Sequence, residues 1–187
     1  MNIVRTARLG VLLAALVPLA ACTVGKAVKP NPETGYIGEG EAAKMADTVL
    51  AKPVDLSRYG KLVVVTAGDF AEEQTRNLGR FDEVIDIEEL QRRIVAADLG
   101  AKVPSVSDRI GLSNAAKHWQ PFLWVRYDEE SRGAKLYGRL VVTDAATLED
   151  VFIAEKHLDY VWKGVNDQNT FYPMFNSLIA WLKEQDA

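Results

Sequence analysis

The chain has 187 residues, 48% apolar and 26% charged, enough for one globular domain with a core; this excludes a disordered protein and a large multidomain enzyme. Its formal net charge of −4 repels phosphate backbones and argues against a nucleic-acid partner. The single cysteine, Cys22, excludes an internal disulfide and any multi-cysteine metal site.

Met1 to Arg8 carries two arginines and no acid, and Leu9 to Ala21 is a run of 13 apolar and small residues broken only by Pro18. This is the three-part form of a secretory signal. It is too short to cross roughly 30 Å of hydrocarbon, which takes about 20 apolar residues. Leu19-Ala20-Ala21-Cys22 resembles the lipobox of bacterial lipoproteins at all four positions. The resemblance implies cleavage before Cys22, a diacylglyceryl group on its thiol and acylation of the freed amine. Two or three acyl chains, at about 0.8 kcal/mol per buried CH₂, make a durable anchor where one is marginal. The competing reading of Cys22 is an incidental thiol behind an ordinary signal peptide. Thr23 stands where the family's sorting rule retains Asp in the inner membrane, so the resemblance implies the outer membrane, facing the periplasm. Removing the first 21 of the 187 residues leaves 166 and, with Arg5 and Arg8 gone, moves the net charge from −4 to −6.

Thr23 to Gly40 holds Pro30, Pro32 and four glycines with little hydrophobic periodicity and reads as a flexible tether. Its 18 residues span at most ~60 Å. Gly35, Gly38 and Gly40 superficially match a phosphate loop, but no strand precedes them and no Gly-Lys-Ser/Thr follows. A single domain is expected over 41–187.

Within it, Glu41 to Leu50 is a short helical candidate, and Lys61 to Thr66 a strand covered on both faces. Phe70 to Leu78 reads as a helix and Glu83 to Ile85 as a short strand. Asp86 opens the next helix, with Glu89 in capping-box register and Ile85 and Leu90 as a hydrophobic staple; Leu90, Ile94 and Ala97 share one face. Ser107 or Ser113 caps a further short helix ending near Trp119. After Pro121 the period changes to two: Phe122 to Tyr127 and Leu136 to Thr143 are strands joined across Glu130-Ser131-Arg132-Gly133. Val151 to Tyr160 is a third strand after the polar turn 144–150. Asn169 to Glu184 closes the chain as a helix, with Phe171, Met174, Phe175, Leu178 and Leu182 at helical spacing, Trp181 on the same stripe, and Asn169 as its cap. The order β-α-β-α-α-β-β-β-α makes an α/β fold, one mixed sheet packed against helices.

Val63 to Val65, the run Phe81-Asp82-Glu83-Val84-Ile85-Asp86 leading into Leu90, then Phe122 to Arg126, and Leu140-Val141-Val142-Thr143-Asp144 with Thr147 carry a second resemblance. They resemble the periplasmic domain shared by the curli-export lipoprotein family and the amino-terminal domain of the Tol system's β-propeller protein. The resemblance covers roughly residues 60 to 160 and implies an α/β periplasmic module near envelope assemblies. The chain departs from it where Leu148-Glu149 replaces the turn glycine expected after Thr147. It also lacks the two long amphipathic hairpins of the curli-export pore, which argues against pore formation.

Little of the sequence speaks for catalysis or a cofactor. The two histidines, His118 and His157, lie 39 residues apart in unrelated elements, and no metal motif is recognisable. Gly111-Leu112-Ser113-Asn114-Ala115, with His118 nearby, approaches a nucleophile elbow, but Val106 to Ile110 is not the apolar strand an elbow needs, so Ser113 reads as a helix cap. Asp128-Glu129-Glu130 and Glu149-Asp150 could serve as an acid and base pair on a glycan. Both groups fall in expected turns, where their charges are solvated. Strand alternation instead places Trp124 with Arg126, Tyr137 with Arg139, and Glu155 with His157, each pair on one side of its strand. If the register aligns them, the six form an aromatic and charged sheet face opposite Leu136, Leu140 and Val142, suited to a peptide, a glycan or a partner domain. In the competing reading, Trp124 packs beneath the last helix and the ions decorate a solvated face.

These readings lead to an outer-membrane lipoprotein held on the membrane through Cys22. Its periplasmic, non-catalytic domain serves assembly, scaffolding or an accessory role in an envelope complex with a protein partner. The alternative is a tethered binding module for a small envelope ligand such as a peptidoglycan fragment. An enzyme acting through Ser113 and His118 stands third.

Overall fold

The computed structural model describes residues 26–158 and 167–185. The signal segment, Cys22 and Tyr160 lie outside the described residues.

The first strand, β1, is Asp47–Ala51, behind a single 3₁₀ turn at Gly40–Ala43. The helix expected over 41–50 is therefore replaced by a turn and a strand. Thr48 and Val49 are β-branched, and pairing with a neighbouring strand outweighs the helix-favouring run Glu41 to Ala46 ahead of them. Next, β2 (Leu62–Val65) is buried along its whole length, as a strand covered on both faces must be. Then come α1 (Asp69–Asn77), β3 (Glu83–Ile85) and α2 (Ile87–Ala96). Asp86 caps α2 by accepting from the Glu89 N–H at 2.6 Å, as the capping-box register requires.

Asp108, neither Ser107 nor Ser113, caps α3 (Arg109–His118), accepting from the Gly111 N–H at 2.7 Å. Gly111 sits against the preceding turn so closely that a Cβ would lie 2.1 Å from the Ser105 carbonyl oxygen. The glycine of the elbow-like motif thus serves a close backbone approach.

A meander of β4 (Leu123–Arg132), β5 (Lys135–Asp144) and β6 (Glu149–Leu158) follows, and α4 (Asp167–Gln185) closes the chain. Because β4 and β6 outrun their expected bounds, Asp128, Glu129, Glu130, Glu149 and Asp150 lie in strands, not in turns. Asn169 lies inside α4, not at its cap.

The six strands form one mixed sheet in the order β1-β6-β5-β4-β2-β3. β2 runs parallel to β3 and β4, and the remaining pairs are antiparallel. The α/β architecture is thus the expected one, with an extra strand at its start.

Two cores flank the sheet. On one face Val63, Val65, Leu123, Val125, Leu140, Val142 and Phe152 pack with Phe175, Leu178 and Leu182 of α4 and Ala71 of α1. On the other, Leu62, Val64, Ile85, Phe122 and Trp124 pack with Leu90 and Ile94 of α2 and Leu112 and Ala115 of α3. The apolar stripe of α4, Trp181 included, is core: Trp181 stacks on Phe152 at 5.1 Å.

Residues 26–40, expected as a tether, are built into this body. Ala27 and Ile37 are buried, and buried side chains of α1 and α4 bind the segment's backbone. No described helix is long and apolar enough to cross a membrane.

Candidate functional site

The register decides which strand side chains meet. Tyr137 pairs with His157 and Arg139 with Glu155 across β5 and β6, while Glu130 pairs with Tyr137 and Asp128 with Arg139 across β4 and β5. Alternation from these pairs puts Trp124, Arg126, Tyr137, Arg139, Glu155 and His157 on one face, with Leu136, Leu140 and Val142 on the other. All six expected residues therefore share a face. Beyond Trp124, no residue of that face joins either of the two cores among the described residues, but Val141 and Ile153 are buried at its floor.

The face holds two groups of side chains. In the first, Arg126 donates to both oxygens of Asp150 at 3.0 and 3.1 Å, to Asp128 at 3.0 Å and to the Thr143 hydroxyl. Thr143 in turn donates to Asp150 at 2.6 Å. Burial pushes the Asp150 carboxyl up, but the Arg126 and Thr143 hydrogen bonds outweigh it, so the carboxyl sits below its ordinary value. Arg126 also lies over the Trp124 ring, 4.9 Å from its centroid.

In the second group, Arg132 makes a two-pronged bond to Glu155, both contacts at 2.7 Å, and lies 4.8 Å over the Tyr137 ring. Glu130 accepts from Arg132 at 2.9 Å and from Arg139 at 2.5 Å, and these guanidinium groups hold its carboxyl below the usual range. Tyr137 meets His157 edge-on at 5.4 Å. The Arg139 Nε–H is buried without a hydrogen-bond partner, with Glu155 Oε2 at 3.7 Å. The six expected residues are thus divided: Trp124 and Arg126 in one group, Tyr137, Arg139, Glu155 and His157 in the other.

Trp124 does not pack beneath α4. It is 6% exposed in the core of α2 and α3, and its indole N–H donates to the Thr66 hydroxyl at 2.8 Å. Asp128, Glu130, Arg132, Thr143 and Asp150 also lie on the face; all but Thr143, which falls in the expected strand 136–143, were missed because their segments read as turns. Part of their signal was present: Val125 and Tyr127 alternate with Trp124, Arg126 and Asp128, and the pattern is lost only at Glu129 and Ser131.

A second feature has no counterpart in the sequence reading. Where β2 and β3 end, α1 and α2 leave on opposite faces of the sheet, and a crevice of about 610 Å³ opens there, bordered by Thr66, Asp69, Asp86, Asp108, Arg109 and Trp124. Open α/β sheets hold ligands at such switch points. Asp86 and Asp108 are engaged in capping α2 and α3, whereas α1 begins at Gly68 with no side-chain cap. The junction Thr66-Ala67-Gly68-Asp69, a buried strand running through a glycine into a helix, is the sequence signal for it.

Ser113 is buried within α3 and its hydroxyl donates to the Ala146 carbonyl at 3.0 Å, while His118 is exposed at the helix's last turn. No three His, Cys, Asp or Glu side chains are grouped to hold a metal ion among the described residues.

No protein-family model matches the chain, and no curated protein matches it. Among solved structures it is similar to the LpoB C-terminal domain from Escherichia coli, with 12% identity and a TM-score of 0.33 over 55% of this chain and 84% of that one. It is also similar to the LpoB C-terminal domain from Salmonella enterica, with 15% identity and a TM-score of 0.31 over 61% of this chain and 87% of that one.

Proposed function

We propose that this chain is an outer-membrane lipoprotein, acylated at Cys22, whose periplasmic domain acts without catalysis as an assembly or accessory component of a cell-envelope complex. The observation that carries the reading is the open face of β4, β5 and β6. Its guanidinium and carboxylate groups are held in place by one another over a floor of Val141 and Ile153, Tyr137 and His157 edge them, and no described helix packs on them as α4 packs on the opposite face. Arginine and tyrosine side chains fixed in this way suit a protein partner, because little side-chain freedom remains to be lost on docking. The Ser113 hydroxyl is engaged with a backbone carbonyl, which favours a structural role for it over a nucleophilic one. The lipobox resemblance supplies the anchor and the compartment.

The test is a photoreactive residue at Lys135, exposed on the Tyr137 side of β5, in the full-length protein in living cells. It is expected to capture an envelope protein in stoichiometric amount, while the same probe at exposed Val95 of α2 captures none. Capture of nothing by correctly lipidated material overturns the reading. Cys22→Ser is expected to release the protein from the membrane or leave it unprocessed.

The crevice beside Trp124 favours a second reading, a tethered module for a small envelope ligand such as a peptidoglycan fragment, since its volume is that of a small-molecule site. Titration with soluble fragments is then expected to change tryptophan fluorescence, and an unchanged signal removes this reading.

A further inference from the structure

We propose, resting on acylation at Cys22, that the domain lies directly against the lipid surface, because residues 26–46 are a fixed strap and not a spacer. The strap is held by side chains from two helices. The Tyr172 hydroxyl of α4 donates to the Lys26 carbonyl at 2.6 Å. Gln74 of α1, fully buried, donates to the Val28 carbonyl at 2.8 Å and accepts from the Val28 N–H at 3.0 Å. Asn176 of α4, also fully buried, repeats this at Ile37, accepting from its N–H at 2.8 Å and donating to its carbonyl at 2.9 Å. Ser177 donates to the Ala46 carbonyl at 2.8 Å, where the strap meets β1.

A primary amide bonded to both polar groups of one residue stands in for a neighbouring strand. Releasing the strap would strip two buried amides of their partners and expose Ile37 and Ala27 as well. The first clamped residue, Lys26, is four positions from Cys22, so anchor and domain are separated by at most about 14 Å of chain. An unclamped tether to Gly40 would allow ~60 Å.

The end of the molecule nearest the anchor suits lipid headgroups. Lys26 and Lys29 are exposed there, and the half-buried rings of Phe70 and Phe171, 5.5 Å apart, lie beside Tyr172. Lysines and aromatic rings together favour the boundary between headgroups and acyl chains. A partner must therefore come to the membrane to meet this domain.

The test uses full-length protein purified from membranes, with Glu73→Cys on the exposed side of α1 carrying an energy donor, in phosphatidylcholine vesicles with acceptor-labelled headgroups. Mass spectrometry of Cys22 is read first, so a missing acyl group, which sinks the proposed function, is distinguished from a distant domain. Energy transfer is expected to fall about threefold or more when about 20 Gly and Ser residues, adding roughly 25 Å of reach, are inserted between Gly25 and Lys26. Equal transfer with and without the insert overturns the inference. Independently of the anchor, the amides of Val28 and Ile37 are expected to exchange with solvent about a hundredfold slower than free amides, and unprotected amides overturn it equally.

Discussion

The two faces of the meander are made by the same strands and the same backbone ladder, yet they do different work. On one, Val125, Leu140, Val142 and Phe152 are fully buried beneath α4. On the other, Arg126 pairs with Asp128 and Asp150, and Glu130, Arg132, Arg139 and Glu155 pair with one another. Burying large apolar side chains stabilises by about 1.5–3 kcal/mol each, whereas exposed ion pairs are worth roughly 0–1. The covered face therefore holds the fold. On the ionic face only the floor is buried, at Val141, Ile153, Thr143 and Glu155, while the rim of Glu130, Arg132 and Tyr137 stays partly exposed and adds little to stability, so the rim's arrangement is explained by shape and charge offered to something outside the chain.

Phe152→Ala is the largest way to test that division. Phe152 is fully buried against Trp181, and the truncation is expected to destabilise by about 3–5 kcal/mol in urea unfolding. Trp124→Ala is expected to cost a similar amount, since the indole is buried beside α2 and α3. It cannot serve as a clean test of ligand binding, although by sequence alone it is the obvious choice. Tyr137→Ala is the contrasting substitution: it is expected to abolish partner capture while leaving the unfolding free energy within about 0.5 kcal/mol. A loss of stability at Tyr137 comparable to that at Phe152 would break the comparison.

Glu155→Ala falls between the two. The carboxylate is 8% exposed and bridges Arg132 and Arg139, so its removal leaves two guanidinium groups short of a partner, at about 1–3 kcal/mol. Urea unfolding of Glu155→Ala beside Arg132→Ala measures this, and a strictly additive double variant would show that the pair does not interact.

Acid and alkali divide the same two faces. Glu130 and Asp150 on the open face have carboxyls below their ordinary values of 4.5 and 3.8, as do Glu83 and Glu89 beside Arg93. A depressed folded value means that the stabilisation is present above the unfolded value and is lost as pH falls through the folded one. Stability is thus expected to decline as pH drops below about 4.5, less steeply in Arg132→Ala. Tyr59, in the covered core and bonded to Asp144 at 3.1 Å, is raised by burial and by that carboxylate from 10.0 to about 12. Its contribution is complete below pH 10 and lost between 10 and 12, and Tyr59→Phe is expected to remove this alkaline limb.

What was legible in the sequence follows from how local each signal is. The buried run Leu62–Val65, the Asp86 and Glu89 cap and the apolar stripe of α4 depend on neighbours within a few residues, and each formed where expected. β1 was missed because its strand character comes from pairing with β6, more than a hundred residues on. The strap was missed for the same reason: Gln74 and Asn176 lie in helices, and nothing at Val28 or Ile37 announces them. At the site, alternation was enough to put six residues on one face. The groups that tie them together were hidden in polar runs such as Asp128-Glu129-Glu130-Ser131, which read as turns on their own, yet here Glu130 pairs with Arg139 and Asp150 with Arg126 across the sheet.

The two turns of the meander give the smallest and sharpest test. Both need a residue in the left-handed region: Gly133 between β4 and β5 at φ 64°, and Leu148 between β5 and β6 at φ 61°. A leucine there carries a strain of about 1–2 kcal/mol that glycine does not, partly offset by glycine's greater freedom in the unfolded chain, about 0.5–1 kcal/mol. Leu148 is held by its N–H donating to the Asp144 carbonyl at 2.8 Å, and its carbonyl accepts from Arg109 at 3.4 Å. Both are backbone contacts that glycine would keep. Leu148→Gly is therefore expected to raise stability by about 0.5 kcal/mol, and Gly133→Leu to lower it by about 1 kcal/mol, both read from urea unfolding. A destabilised Leu148→Gly would mean that the half-buried leucine side chain, beside the Arg109 end of the crevice, contributes more by packing than its backbone loses by strain.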